Sequence, residues 1–197
     1  MVPQQVITDT LYMNETSVGK VEEVRLGEIL DAVLASLIRR IRYKGVKVEK
    51  RYNWSGSIRG SAGALRQVFT NLVVNALEAV PKNTGRLVLR VKPARHWTKP
   101  VAGVRVSIAD NGSGIHPDHR ERIFHPFFTT KTGKGSGLGL WVSHTIVHHH
   151  GGSIALRTSI QPERSGTVFC VFLPGDTPDA ALTSRSDKPT AKRSFAR

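Results

Sequence analysis

Asp110 closes an apolar, strand-like run, VRVSIAD, and is followed at once by Asn-Gly-Ser-Gly-Ile. A carboxylate placed where a strand gives way to glycines sits at a sheet edge beside a sharply turning backbone. Gly112 and Gly114 are free to take positive φ there and to let a flat ligand approach the main chain. Taken alone, the segment leaves two readings open. An ordinary Asn-Gly turn accounts for it structurally. Functionally, a charged acceptor at this point takes a hydrogen bond from an exocyclic amine such as that of adenine, worth roughly 1.5–3 kcal/mol. It also turns away guanine, whose carbonyl oxygen would face the same carboxylate.

Three further groups stand near it in order. Upstream, NLVVNALEA carries Asn71, Asn75 and Glu78. Spacings of four and three put these side chains on one face of a helix, away from its apolar stripe. Asn is a mediocre helix former, so two of them one turn apart are either solvated and locally bonded residues or are retained for a ligand. A neutral carbonyl oxygen suits Mg2+ that is already shared with phosphates, because that ion takes one or two protein ligands and keeps several waters. Downstream come IFHPFFTTK, with Phe124, Phe127, Phe128 and Lys131, and GKGSGLGL, with Gly133, Lys134, Gly135, Ser136, Gly137, Leu138 and Gly139. Backbone N–H groups released by glycine at the start of a helix form an anion site, and Lys131 and Lys134 add positive charge. The loop lacks the Gly-Lys-Ser/Thr of a Walker motif, and no strand immediately precedes it as in a dinucleotide fingerprint. Together the four groups describe a pocket for a nucleoside triphosphate and its metal ion.

The elements that must position these residues are legible from periodicity. Leu26, Ile29, Leu30, Val33, Leu34, Leu37, Ile38 and Ile41 recur at three and four, which predicts one amphipathic helix ended by Gly45. Residues 46–52 alternate like a half-buried strand, and SGSIRG reads as a short strand or turn. A second helix is expected from about Ala62 to Val80, with Leu65, Val68, Phe69, Leu72, Ala76 and Val80 inward. RLVLRVKP and VAGVRVSIAD read as two strands, a third helix runs from near Leu138 to His150 before Gly151, and GGSIALRTS and SGTVFCVFLP read as a final strand pair. The order does not alternate as in a doubly wound sheet. An α+β fold follows, a two-layer sandwich with helices on one face of a mixed sheet.

Composition sets the outer limits. The 197 residues suffice for one domain with a real core, and no apolar run approaches the length of a membrane helix. The N-terminus lacks the basic and apolar regions of a signal peptide. Cys170 is the single cysteine, so no internal disulfide forms, and its apolar context reads as a buried strand position. These features suit a reducing cytoplasm. Lys and Arg outnumber Asp and Glu by 29 to 15, yet the basic residues are scattered or gathered in a C-terminal tail. No nucleic-acid motif is present, so a solvated basic surface is expected rather than a specific nucleic-acid site. His148, His149 and His150 end a helix, where adjacent side chains point about 100° apart and are poorly placed to share an ion.

Taken in order, these motifs resemble the boxes of the ATP-binding domain of sensor histidine kinases, a superfamily shared with type II topoisomerases, a heat-shock chaperone and a mismatch-repair ATPase. NLVVNALEA resembles the N box, DNGSGI the G1 box, FHPFF the F box, GSGLGL the G2 box, and SGTVFCVFLP the closing strand; the likeness covers roughly residues 20 to 175. It implies a Bergerat-type ATP-binding fold with ATP and Mg2+ as its ligands. By this resemblance Asn75 is the Mg2+ ligand, Asn71 a catalytic-site partner near the phosphates, and Glu78 a further contact of that helix face. Asp110 reads adenine with Gly112 and Gly114 in its turn, and Thr167 is a second adenine contact. Lys131 and the loop of Gly135, Ser136, Gly137, Leu138 and Gly139 hold the phosphates. Phe124, Phe127 and Phe128 resemble part of a flexible lid, with plain core packing as the alternative.

The resemblance implies transfer of the ATP γ-phosphate to a histidine on a dimerisation domain, and from there to a response regulator. Two departures stand out: His125 replaces an acidic residue of the F box, and no histidine precedes His96. The expected organisation is therefore a remnant of the dimerisation hairpin or a linker over 1–22, an ATP-binding domain over 23–175 and a basic disordered tail over 176–197. The phosphoacceptor then lies upstream or on another chain. ATP-hydrolysing members of the superfamily carry Glu where this chain has Asn71. Asn cannot serve as a general base, so weak hydrolysis is expected. An anti-sigma-type protein-serine kinase and an ATP-binding module without transfer activity are the alternatives.

Overall fold

The computed structural model describes residues 20–130 and 135–175. Expectations about the segment before residue 20, about Lys131 and Lys134, and about the tail after residue 175 lie outside the described residues.

A short strand, β1 (Glu22–Val24), opens the described chain and pairs antiparallel with β3 (Ile58–Gly60). The expected single helix is two: α1 (Leu26–Ser36) and α2 (Ile38–Lys44) meet at Leu37. The cause is local. Ser36 Oγ donates to the Val33 carbonyl at 2.7 Å, and the Leu37 N–H is shared between the Val33 and Leu34 carbonyls. Serine bonding back to the preceding turn bends a helix. The bend turns Ile38 out, leaving it 41% exposed, whereas Ile41 is buried as expected. Gly45 at φ 63 ends α2 in the left-handed region.

The longest helix, α3 (Ala62–Ala79), begins at Ser61, whose hydroxyl accepts from the Ala64 N–H. Its inward stripe matches the periodicity: Leu65, Val68, Phe69, Leu72, Ala76 and Val80 are all buried. The remaining elements are β2 (Lys47–Tyr52), β4 (Arg86–Arg95), β5 (Ala102–Asp110), α4 (Gly139–His149), β6 (Ser153–Ser159) and β7 (Gly166–Pro174).

Five strands form one sheet in the order β2-β4-β5-β7-β6, parallel between β2 and β4 and antiparallel elsewhere. Register sets Leu89 opposite Ile108 and Ile108 opposite Phe169, and carries Leu87 to Asp110 and Asp110 to Thr167. One face therefore gathers Leu87, Leu89, Val91, Val104, Val106, Ile108, Phe169, Val171 and Leu173, all buried with the stripes of α1, α3 and α4 in one core cluster. The mixed α+β sandwich with helices on one face is as expected. Burial of this kind stabilises the fold by roughly 25 cal/mol per Å2 of apolar surface.

The three helix-terminal histidines have different duties. His150 Nδ1 lies 2.8 Å from the Ile146 carbonyl, and its Nε2 accepts the Ser61 N–H at 3.0 Å. An acceptor Nε2 requires Nδ1 to carry the proton, so His150 ties the end of α4 to the start of α3. His149 bonds the Thr145 carbonyl in the same way, and the His148 ring stacks on His144. Cys170 lies in β7 as expected but is half-buried, on the face turned away from the helices, with Ser107 Oγ 3.5 Å from its sulfur.

Candidate functional site

Asp110 ends β5 on the helix-covered face. Its Oδ1 accepts two backbone N–H bonds, from Gly112 at 2.8 Å and from Thr167 at 3.2 Å. Both fall on one oxygen, which leaves Oδ2 as an acceptor for an incoming donor. Burial pushes this carboxyl above its ordinary value, and the two N–H bonds pull it part of the way back.

The glycines of the turn have distinct reasons. Gly114 takes φ 74, a left-handed conformation, whereas Gly112 does not adopt positive φ. What Gly112 requires is room: a Cβ there would stand 2.7 Å from the Ala79 Cβ and 2.8 Å from its carbonyl. The turn thus rests directly on the last residue of α3, and the Ser113 N–H reaches the Ala79 carbonyl at 3.4 Å. Asn111 fastens the other side, accepting from the Arg86 N–H and donating to the Thr84 carbonyl.

Thr167 is buried beside Asp110, and its hydroxyl lies 3.2 Å from Thr158 Oγ1. Thr158 was not expected from the sequence. Its Oγ1 also accepts the Ile115 N–H at 2.8 Å and donates to the Gly166 carbonyl at 3.0 Å. It therefore joins the turn after Asp110 to the start of β7. The only hint was register: a threonine nine residues before Thr167 becomes its direct opposite once β6 and β7 pair.

About 12 Å along α3 from Ala79, at 1.5 Å per residue, stands Asn71. Its Nδ2 donates to the Gly139 carbonyl at 3.0 Å and to Ser143 Oγ at 3.2 Å. Ser143 gives its own proton to Gly139, so its lone pair must receive from Asn71, which fixes the amide orientation. Asn71 thereby anchors the first turn of α4 to α3. That turn has no side-chain cap; Ser136 Oγ reaches the Leu138 N–H at 3.4 Å. The N–H groups of Gly139 and its successors are the orphan donors of a helix start, where the dipole is positive.

Asn75 lies half-buried between these two ends of the α3 face. Glu78, on the same face, is exposed and its Oε1 is held by Arg40 of α2 at 3.2 Å. Gly135, Ser136, Gly137, Leu138 and Gly139 come together at the α4 start. Gly137 lies against the backbone of Phe127 and Phe128, so loop and phenylalanine segment form one surface. The phenylalanines divide. Phe124 packs edge-on to Phe169 and beside His144, and Phe128 lies beside His119 with Arg122 over its ring. Both touch the core. Phe127, at φ 64, is 39% exposed. Among the described residues no cluster of three or more His, Cys, Asp and Glu side chains is placed to hold a metal ion. Nor is any helix long and apolar enough to cross a membrane.

The face of α3 therefore has the Asp110 carboxylate and a glycine turn at one end and an uncapped helix start at the other. Comparison with known proteins agrees with it. Residues 60–177 match the model of the family described as histidine kinase-, DNA gyrase B-, and HSP90-like ATPase. Sporulation kinase B of Bacillus subtilis (strain 168) is 31% identical over 175 residues, which cover 89% of this chain and 39% of that protein. The catalytic domain of histidine kinase ThkA, in a nucleotide-free form, superposes with a TM-score of 0.67 at 30% identity, over 79% of this chain and 96% of that one. Full-length ShkA in complex with AMPPNP superposes with a TM-score of 0.66 at 26% identity, over 81% of this chain and 32% of that one.

Proposed function

Since this chain belongs to the histidine kinase-, DNA gyrase B-, and HSP90-like ATPase family, we propose that it is the ATP-binding catalytic domain of a cytoplasmic two-component sensor histidine kinase. In this reading the γ-phosphoryl leaves ADP and forms a P–N bond to a histidine of a dimerisation domain, upstream or on another chain. A response regulator then receives it. The chain spans well under half of Sporulation kinase B, so acceptor and regulator are supplied by regions or proteins beyond residues 20–175.

The observation that carries the proposal is the Asp110 carboxylate, fixed through Oδ1 and open at Oδ2. Such an acceptor reads the adenine amine, with Thr167 beside it as the second contact and Gly112 and Gly114 clearing the approach. The uncapped start of α4, with Gly135 to Gly139, takes the phosphates. Lys131 adds charge from outside the described residues. The distance along α3 between these two ends suits an extended base–ribose–triphosphate chain.

The donor set fits Mg2+ only as an ion carried on phosphates: Asn75 has a neutral side-chain oxygen, and among the described residues no carboxylate cage surrounds it. Mg2+ would neutralise phosphate charge there. Asn71 acts by positioning, because its amide holds the α4 start in place and has no basic nitrogen to activate water. Glu78 contributes through its ion pair with Arg40 at the edge of the same face. Phe127 and the loop around Gly137 form the part of the lid that moves over the ligand, with Phe124 and Phe128 as its rooted base.

The test is to mix the chain with a histidine-bearing helical hairpin domain and γ-labelled ATP. Acid-labile label on the hairpin, lost with Asp110→Asn, is the expected result. Acid-stable label would identify a serine kinase, and ATP binding without label in any acceptor a non-transferring module; either refutes the proposal.

A further inference from the structure

The helices cover one face of the five-stranded sheet. On the other face, alternation and register bring together a set of basic residues. β2 presents Lys47 and Arg51, and β4 presents Arg86, Arg90 and Lys92. Arg105 of β5 and Arg157 of β6 join them. Lys47, Arg51, Arg86, Lys92 and Arg157 are exposed, and Arg90 and Arg105 half-buried. Among the described strand residues the one acid on this face, Glu49, is already paired with Arg51, and its carboxyl is lowered first by that bond and further by the charges of Arg51, Arg86 and Arg90. Among the described residues none of the other six basic side chains has an ion-pair partner.

Folding alone does not call for this pattern. Like charges stand in direct register at Lys47 and Arg86, at Arg51 and Arg90, and at Lys92 and Arg105, an arrangement that weakens a sheet. Protection of an exposed edge explains charge on β2. It does not explain Arg90, Lys92 and Arg105, which lie on interior strands. Between the charges runs a half-buried apolar row, Val88, Ala109 and Val168, in register across β4, β5 and β7. It spans two strand spacings, about 10 Å, the width of one helix. A shallow hollow of about 350 Å3, lined by Lys47, Glu49, Arg86 and Val88, opens at one end.

We propose that this outer sheet face docks an acidic amphipathic helix of a partner protein, with its apolar side chains on the Val88–Ala109–Val168 row and its carboxylates on the flanking arginines and lysines. Charge complementarity requires an anionic partner, and the apolar row selects a protein helix over a nucleic acid. Bases need open aromatic faces to stack on. Of the described rings on this side, His96, Trp97 and Phe172 are packed on one another and against Arg105, and Trp97 alone is exposed, at 41%, which offers no run of faces for successive bases. The proposed nucleotide site, at Asp110, lies on the opposite face of the same sheet, so both sites are accessible together.

The experiment measures fluorescence anisotropy of a labelled peptide of about 18 residues, roughly five helical turns, with leucines on one face and glutamates on the other. The full chain is titrated at about 0.15 M salt. Polyglutamate of equal length and a single-stranded and a duplex DNA oligonucleotide serve as comparisons. The amphipathic peptide should bind tightest, and Lys92→Glu with Arg157→Glu should weaken it at least tenfold while ATP binding stays unchanged. If that double variant does not fold, the neutral pair Lys92→Gln with Arg157→Gln carries the same test with a smaller expected loss. Peptide binding unaffected by the folded variant overturns the proposal. So does polyglutamate binding as tightly as the peptide, or either DNA binding more tightly.

Discussion

Replacing Asp110 by Asn separates what this residue does for the ligand from what it does for the fold. Both internal bonds fall on Oδ1, from Gly112 and Thr167, and Asn keeps an oxygen there. The change is at Oδ2, where a charged acceptor becomes an NH2 donor, which in the proposed reading faces the adenine amine. Loss of a hydrogen bond to a charged group costs about 1.5–3 kcal/mol, which at 1.4 kcal/mol per decade is about 10- to 150-fold in Kd. Opposed donors push the result toward the upper end. Selectivity should also relax, since an NH2 group can donate to the guanine carbonyl that the carboxylate repels. Stability should move the other way. Burial raises the folded-state carboxyl above its unfolded value, so its contribution to stability is fully present below the unfolded value and is lost as pH rises through the folded one. At neutral pH the ionised group is a net cost, and Asn removes it. Calorimetry with Mg-ATP and GTP, together with thermal melts near neutrality and below about pH 4, reads both effects. The expected variant melts no lower than the parent near neutrality, loses that advantage in acid, and binds ATP at least tenfold more weakly. Unchanged ATP affinity in a folded variant would refute the assignment of Asp110 to the base.

Thr158→Val should destabilise the chain by about 1–3 kcal/mol, because the Ile115 N–H loses its acceptor and Thr167 its partner; urea denaturation measures it, and ATP affinity should fall as the turn loosens. Gly112→Ala drives a methyl group into Ala79 and should cost about 1–3 kcal/mol by overpacking, seen as a lower melting temperature, whereas Gly63→Ala, in the α3 helix where a Cβ meets open space, should not lower it. The isolated chain should release phosphate from ATP only slowly, since Asn71 has no basic group to offer; rapid release in a coupled assay would contradict its positioning role. Chelation of Mg2+ should weaken ATP binding and leave the melting temperature of the ligand-free chain unchanged.

Much of the candidate site's local arrangement could be read one residue at a time. The Asn71–Asn75–Glu78 face and the glycines around Asp110 are local patterns, and helical or strand spacing fixes which side chains share a face. The break at Leu37 was hidden because apolar periodicity runs through it, while the competing bond runs from the Ser36 hydroxyl to a backbone carbonyl and leaves no trace in the apolar pattern. Gly112 was expected to serve by positive φ; its actual constraint is the surface of Ala79, a residue thirty-three positions earlier. Glu78 was placed on the correct helix face, but its pairing with Arg40 depended on how α2 leans after the break.

Sequence by itself determined most of the elements, though neither β1 nor the break between α1 and α2, together with their inward stripes and the order of the four motifs, because these follow from spacing along a single chain. Only the tertiary structure decided that Thr158 meets Thr167 beside Asp110, that Asn71 meets Gly139, and that basic residues from four strands share one open face. Those pairings depend on strand register and helix docking, which are set by the collective burial of the core and have no counterpart in any local run of residues.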